Sequence, residues 1–201
     1  MLFSREFRSL KSQAEANITV KGSKFLAFAF PVNNETEVKV QLSALRDKFP
    51  DATHHCYVWI VNPDKSAQRI NDDGEPASSA GRPILKQINA LDLTNILVVV
   101  VRYFGGKKLG IPRLIEAYGS AAKLCLSKID IVNKTLLDYY KIETKIENEH
   151  LVYNLARKFG AKIEARLTAH LFIGILAING SKTELFLKEC QLFNNFEFVF
   201  L

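Results

Sequence analysis

Residues 95–114 read Asn95-Ile96-Leu97-Val98-Val99-Val100-Val101-Arg102-Tyr103-Phe104-Gly105-Gly106-Lys107-Lys108-Leu109-Gly110-Ile111-Pro112-Arg113-Leu114. The unbroken aliphatic run from Ile96 to Val101 predicts a strand over Asn95–Phe104 that is buried on both faces. Gly105 to Ile111 is a loop rich in glycine and lysine. A helix is expected from Pro112 to about Lys128, with Leu114, Tyr118, Ala121, Ala122 and Cys125 on its core face. A glycine loop between a buried strand and a helix start is a recurrent anion site, because free backbone N–H groups and the helix dipole favour negative charge. Lys107, Lys108 and Arg113 add three cations to it. The phosphate-loop pattern is not met, since no Gly-Lys-Ser/Thr follows Gly110, and the dinucleotide glycine spacing is not met either. The same residues also read as a tight turn that packs helix on strand.

Upstream, Asn17 to Val32 forms two extended stretches with a turn at Gly22-Ser23, after a polar first dozen residues read as a frayed start. A helix follows, capped by Asn33 or Asn34, with Val38, Leu42, Leu45 and Phe49 as its buried stripe and Pro50 as its stop. His54 to Val61 is a strand. Alternation along it puts His54 and Cys56 on one face and His55 on the other, so these three alone make no compact metal site. Asn62 to Arg82 reads as a long polar loop, and Pro83 opens a short helix to about Asp92. Within that loop Asp72-Asp73-Gly74-Glu75-Pro76 gathers three carboxylates. They suit a divalent cation or acid–base work, and equally an Asp-Gly turn followed by a rigid Glu-Pro step.

Downstream, Asn133-Lys134-Thr135 reads as a hinge. Beyond it lie a strand over Leu136–Ile146, a helix capped by Asn148 and ended by Gly160, and strands over Lys162–Leu167 and His170–Ile178. A helix with a Ser181/Glu184 capping box and a closing strand over Asn195–Leu201 complete the chain. The order is β-α-β-β-α-β. Two domains are therefore expected, 1–134 and 135–201, in an α+β protein.

Composition narrows the function classes. The chain has 201 residues, 48% apolar and 24% charged, which is globular rather than disordered and long enough to bury roughly 70% of its unfolded surface. No run approaches the ~20 apolar residues of a membrane span, and Met1 to Glu6 lacks the apolar core of a signal peptide. Cys56, Cys125 and Cys190 are sparse and odd in number, as expected of reduced cytoplasmic thiols. The net charge of +6 is uneven: residues 1–135 hold 19 basic and 13 acidic side chains, and residues 136–201 hold eight of each. That asymmetry favours an anionic partner for the first part, and equally reads as ordinary solubility charge.

The chain resembles the YigZ/IMPACT family. The resemblance runs from Gly81 through Ile84, Leu85, Ile88 and Leu93 to Arg102-Tyr103-Phe104-Gly105-Gly106 and Leu109-Gly110. It includes His54-His55-Cys56, Asp72 to Pro76 and Ala117-Tyr118-Gly119, and covers most of residues 15–130. One departure is Ile111-Pro112-Arg113-Leu114, where many bacterial members carry small residues. The proline removes a backbone donor and shifts the burden to side-chain cations. The resemblance implies an N-terminal domain like that of a ribosomal protein and domain IV of elongation factor G, and a ferredoxin-like C-terminal domain like domain V of that factor. It points to RNA or the ribosome. Eukaryotic members restrain a translation kinase with an additional RWD domain, and no such domain is expected in these 201 residues.

Three readings follow. In the first, a non-enzymatic, cytoplasmic translation regulator binds RNA or the ribosome through Arg102, Tyr103, Gly105, Gly106, Lys107, Lys108, Gly110 and Arg113. His54 joins the same surface if its strand and that of Arg102 are neighbours, with Tyr103 or Phe104 free to stack on a base but not both. In the second, an enzyme acts on a phosphorylated small molecule, with Asp72, Asp73 and Glu75 as acid–base or metal-binding groups, Gly74 turning the loop and Gly105-Gly106 as the anion site. No nucleophile–base pair is legible, so no catalytic residue, cofactor or metal is assigned. In the third, a protein-interaction module meets a regulatory partner through the acidic loop. No membrane partner is expected, and the oligomeric state is left open.

Overall fold

The computed structural model describes residues 6–168, 170–193 and 196–201. Backbone contacts divide the chain into two compact bodies, Phe7–Lys134 and Thr135–Leu201.

The first body is organised around the aliphatic run. Its elements are β1 (Glu6–Leu10, from Phe7 on), β2 (Ala14–Val20), β3 (Ser23–Pro31), α1 (Glu35–Lys48), β4 (His54–Val61), β5 (Ala67–Asn71), α2 (Gly81–Ala90), β6 (Ile96–Tyr103), α3 (Ile111–Leu126) and β7 (Ile131–Thr135, as far as Lys134). Five strands form a sheet in the order β2-β3-β6-β4-β5, every neighbouring pair antiparallel. β6 lies at its centre. Alternation along the strands sorts the core onto two faces. Phe25, Ala27, Cys56, Val58, Val98 and Val100 pack under Ile84 and Ile88 of α2 and Leu114, Tyr118 and Ala121 of α3. Phe28, Phe30, Tyr57, Trp59, Leu97 and Val99 pack against Val38 and Leu45 of α1. Each large aliphatic side chain buried in this way stabilises the fold by about 1.5–3 kcal/mol, which is why the run had to be continuous.

The helix signals are local and explain themselves. Asn34 caps α1, its Oδ1 accepting from Glu37 N at 2.9 Å, while the Glu37 carboxylate accepts from Asn33 N at 2.9 Å. The β2–β3 hairpin turns at Lys21-Gly22, one residue earlier than expected, with φ of 48° and 85°. Positive φ at both central positions suits the twist of the flanking strands.

Further expectations for this body meet the structure as follows. The polar start is not frayed: residues 6–10 form β1, which pairs with β7, and Leu10 is buried. The expected hinge at Asn133-Lys134-Thr135 ends β7 and also holds the boundary between the two bodies, between Lys134 and Thr135. The loop from Asn62 to Arg82 contains β5, paired to β4. These strands pair at edges or across long sequence separations, where little apolar alternation is required.

The second body holds β8 (Leu137–Lys145), α4 (Glu149–Phe159), β9 (Lys162–Leu167), β10 (Leu171–Asn179), α5 (Thr183–Cys190) and β11 (Glu197–Phe200). Its sheet runs β11-β8-β10-β9, antiparallel throughout. Gly160 ends α4 in the left-handed conformation with φ 63°, as expected of a helix C-terminus. Asn148 stands at the start of α4 without a capping bond, and its amide faces Thr144 instead. The Ser181/Glu184 box does not form either. Asn179 Oδ1 accepts from Ser181 N at 3.0 Å in a short 3-10 turn, and Glu184 pairs with Lys188. The closing strand begins at Glu197; Asn195 lies outside the described residues. Among the described residues no helix is long and apolar enough to cross a membrane.

Candidate functional site

β4 and β6 are neighbours, and His54 stands opposite Arg102 in register. This brings the end of the aliphatic run to the acidic loop. Arg102 is 5% exposed. Its Nη1 donates to Glu75 Oε1 at 2.6 Å, and its Nη2 donates to Ser23 Oγ at 3.4 Å. The rings of Phe25 and Phe104 lie 5.5 Å and 5.8 Å from the guanidinium carbon. Glu75 is 8% exposed and also accepts the Tyr118 hydroxyl proton at 2.7 Å. Cys56 Sγ completes the cluster, 3.3 Å from the Tyr118 oxygen and 3.0 Å from the Asp72 carbonyl. His54 Nδ1 donates to the Asp73 carbonyl at 2.7 Å, leaving Nε2 3.8 Å from Glu75 Oε1. Burial pushes both the Cys56 thiol and the Tyr118 phenol far above their ordinary values, so both are protonated donors. A buried ion pair of this geometry is held by its extra hydrogen bonds rather than by charge alone.

The other two carboxylates of the loop have separate tasks. Asp72 Oδ1 accepts from Ala80 N at 3.0 Å and Gly81 N at 2.7 Å, and Oδ2 accepts from Ser78 N at 2.8 Å. α2 has no capping side chain at Ala80, and Asp72 supplies the cap from outside, worth about 1 kcal/mol. Asp73 accepts from His55 N at 2.6 Å and lies 3.8 Å from the Arg46 guanidinium. The three carboxylates therefore point at three different sets of donors, and no metal-ligating cluster occurs among the described residues. Gly74 takes φ 85° to make the turn.

The acidic and glycine loops do meet, through a sealed contact. Ser23 Oγ, under the hairpin tip, accepts from Gly105 N at 3.1 Å as well as from Arg102. A Cβ on Gly105 would stand 2.0 Å from the Gly22 carbonyl carbon, so two backbones cross where no side chain fits. Beyond Gly105 the loop opens. Gly106 and Gly110 have φ of 80° and 76°, and a Cβ at either would meet nothing within 4 Å, so their conformation rather than crowding calls for glycine. Gly106, Lys107, Lys108, Gly110 and Arg113 are exposed. Gly110 caps α3 without a side-chain bond. Lys107, Lys108 and Arg113 have no ion pair with any described residue, nor has Lys21 of the hairpin tip, which lines a cleft of about 210 Å³ with Arg113 and Glu116.

The sequence-predicted set therefore separates. Lys107, Lys108 and Arg113 share an open surface with Gly106 and Gly110. Arg102, Glu75, Asp72 and Gly105 hold the fold together beneath it, and Arg102 does not line that surface. His54 is half-buried against the acidic loop. Tyr103, expected at the surface, is half-buried on the α1 face, and its hydroxyl donates to Asp51 at 2.9 Å. Phe104 is the exposed ring, at 47%. Sequence reasoning missed Ser23 and Gly22 as partners of the glycine loop, and Tyr118 as a partner of Glu75. Only the β3–β6 register, which places Lys24 opposite Tyr103, could have revealed the first two.

Residues 21–126 match the Impact N-terminal domain family. The IMPACT family member YvyE of Bacillus subtilis is 34% identical over 148 residues, 70% of this chain and 68% of that protein. A crystal structure of a hypothetical protein is similar over 98% of this chain and 97% of its own, with a TM-score of 0.73 and 26% identity. A solved chain described as a two-domain translational regulator is 33% identical and covers 57% of this chain and 45% of its own, with a TM-score of 0.40.

Proposed function

The chain belongs to the IMPACT family, and from that premise we propose that it regulates translation without catalysis, binding RNA or the ribosome through the cations around the glycine loop. One observation carries the reading. Lys107, Lys108, Arg113 and Lys21 are exposed and unpaired among the described residues, and they gather where a buried ion pair fixes the loop. Cations without internal partners are free to neutralise phosphates. The charge excess of residues 1–135 agrees with this placement. Regulation of translation is what is described for the 33% identical relative, and it comes to this chain as part of the proposal. So do the elongation-factor-like fold of residues 1–134 and the ferredoxin-like fold of residues 135–201, the latter supported by the strand order β11-β8-β10-β9.

Co-sedimentation with ribosomes at low and moderate salt tests the reading, with wild type beside a Lys107→Glu, Lys108→Glu, Arg113→Glu variant checked for folding. Three lost phosphate contacts flatten the log–log salt slope by about 2, at about 0.7 per contact on a single strand. Binding that disappears in the folded variant is the expected result. No binding at low salt, or binding that neither salt nor charge reversal alters, overturns it.

A further inference from the structure

We propose that Phe104 is a base-stacking platform and that the site therefore takes unpaired RNA in preference to duplex; this rests on the phosphate-binding reading above. An aromatic ring at 47% exposure gains nothing from water, and its position here is enforced. The backbone N–H of Phe104 donates to Thr53 Oγ1 at 3.2 Å, and Gly105 beside it is pinned under the hairpin tip. One ring face lies over the Arg102 guanidinium, 5.8 Å from centroid to carbon. That guanidinium is itself locked by Glu75 and Ser23, so the ring rests on a rigid floor while the rest of it meets solvent. Pre-organisation of this kind lowers the entropic cost of binding.

The chemistry around the ring matches a polynucleotide strand. Gly105 and Gly106 separate Phe104 from Lys107 and Lys108, which have no ion pair with any described residue, and Lys21 stands on the neighbouring hairpin tip. A π-face flanked by cations is the arrangement that binds a strand by stacking a base and neutralising its phosphates, with little dependence on sequence. A duplex hides all but its two terminal base faces within its stack and offers this ring far less. Tyr103 cannot substitute, because its side chain lies on the opposite sheet face, tied to Asp51.

The test is fluorescence anisotropy of the full chain with a labelled oligouridine twelve-mer and with a blunt RNA duplex of equal length. Wild type is compared with Phe104→Ala, Phe104→Trp and the Lys107→Glu, Lys108→Glu pair. Loss of one stacked base weakens single-strand binding by about 5- to 150-fold, so Phe104→Ala is expected to fall in that range while duplex binding changes far less. Phe104→Trp is expected to retain affinity, and its added emission to be quenched by the oligonucleotide, a signature that a merely structural ring would not give. Thermal melts check that Phe104→Ala folds, as expected because Arg102 keeps Glu75, Ser23 and Phe25 without it. If Phe104→Ala binds the single strand as wild type does while the lysine pair abolishes binding, stacking is refuted and the phosphate reading stands. If the wild type binds neither RNA nor ribosomes, both fall together.

Discussion

Replacing Glu75 by glutamine keeps its size and removes its charge, and so tests whether the acidic loop builds the fold or performs chemistry. The carboxylate accepts from Arg102 at 2.6 Å and Tyr118 at 2.7 Å, with both ion-pair side chains nearly sealed from water, 6% exposed for Arg102 and 3% for Glu75. Glutamine leaves a buried guanidinium without its counter-charge, at a cost of about 3–5 kcal/mol. A domain is stable by only about 5–15 kcal/mol. With a urea slope of about 2 kcal/mol/M, the midpoint should fall by about 1.5–2.5 M. The assay is clean, because the chain has one tryptophan. Trp59 is buried in β4, so its fluorescence reports the first body alone. Arg102→Met should cost a comparable amount, and the double variant much less than the sum, because each single change strands the partner's charge. A Glu75→Gln midpoint within about 0.3 M of wild type, or a double variant that loses the full sum, would refute this account. A rise in stability would be worse for it, since that is how a strained catalytic carboxylate behaves when removed.

Three further outcomes are expected. Gly105→Ala forces backbone against backbone at 2.0 Å and should destabilise by well over 2 kcal/mol, whereas Gly106→Ala, in open space at φ 80°, should cost about 1 kcal/mol; urea midpoints followed at Trp59 separate the two. Burial is the main cause that lowers the His55 pKa below its ordinary value. The unfolded chain then binds the proton more readily, so stability is fully present above about pH 6.5 and is lost as pH falls toward the folded value; His55→Gln should flatten that part of the stability–pH curve. All three cysteines are buried, and burial pushes the Cys125 and Cys190 thiols up to about 12. Native protein at pH 8 should therefore resist a thiol reagent for as long as it stays folded, and label three times in urea; prompt labelling without unfolding would contradict the packing.

The fold was legible where the chain must satisfy water and neighbours locally. Ile96 to Val101 can only be a doubly covered strand, Val38 and Leu45 only one side of a helix, and Asn34 with Glu37 only a helix start. It was illegible where partners are distant or polar. β1 and β5 lie at sheet edges and carry Arg8, Gln68 and Arg69, which show no apolar rhythm to read. The hinge read at Asn133-Lys134-Thr135 falls where the two bodies divide, although its residues also end β7, which pairs with β1. At the site, the charges were read correctly as charges, but their burial was not. Nothing in the run Val101-Arg102-Tyr103-Phe104 says which side chain is sealed, and the answer came from Ser23 and Glu75, 79 and 27 residues away.

Truncation to alanine cannot detect the crossing of Gly22 and Gly105, because neither strand of the crossing presents a side chain to remove. A scan of the loop would credit Lys107 and Lys108 with whatever it does and leave the crossing unmarked. Yet the loop that carries those lysines is anchored by two residues whose contribution is the space they leave empty, and only adding an atom makes that contribution visible.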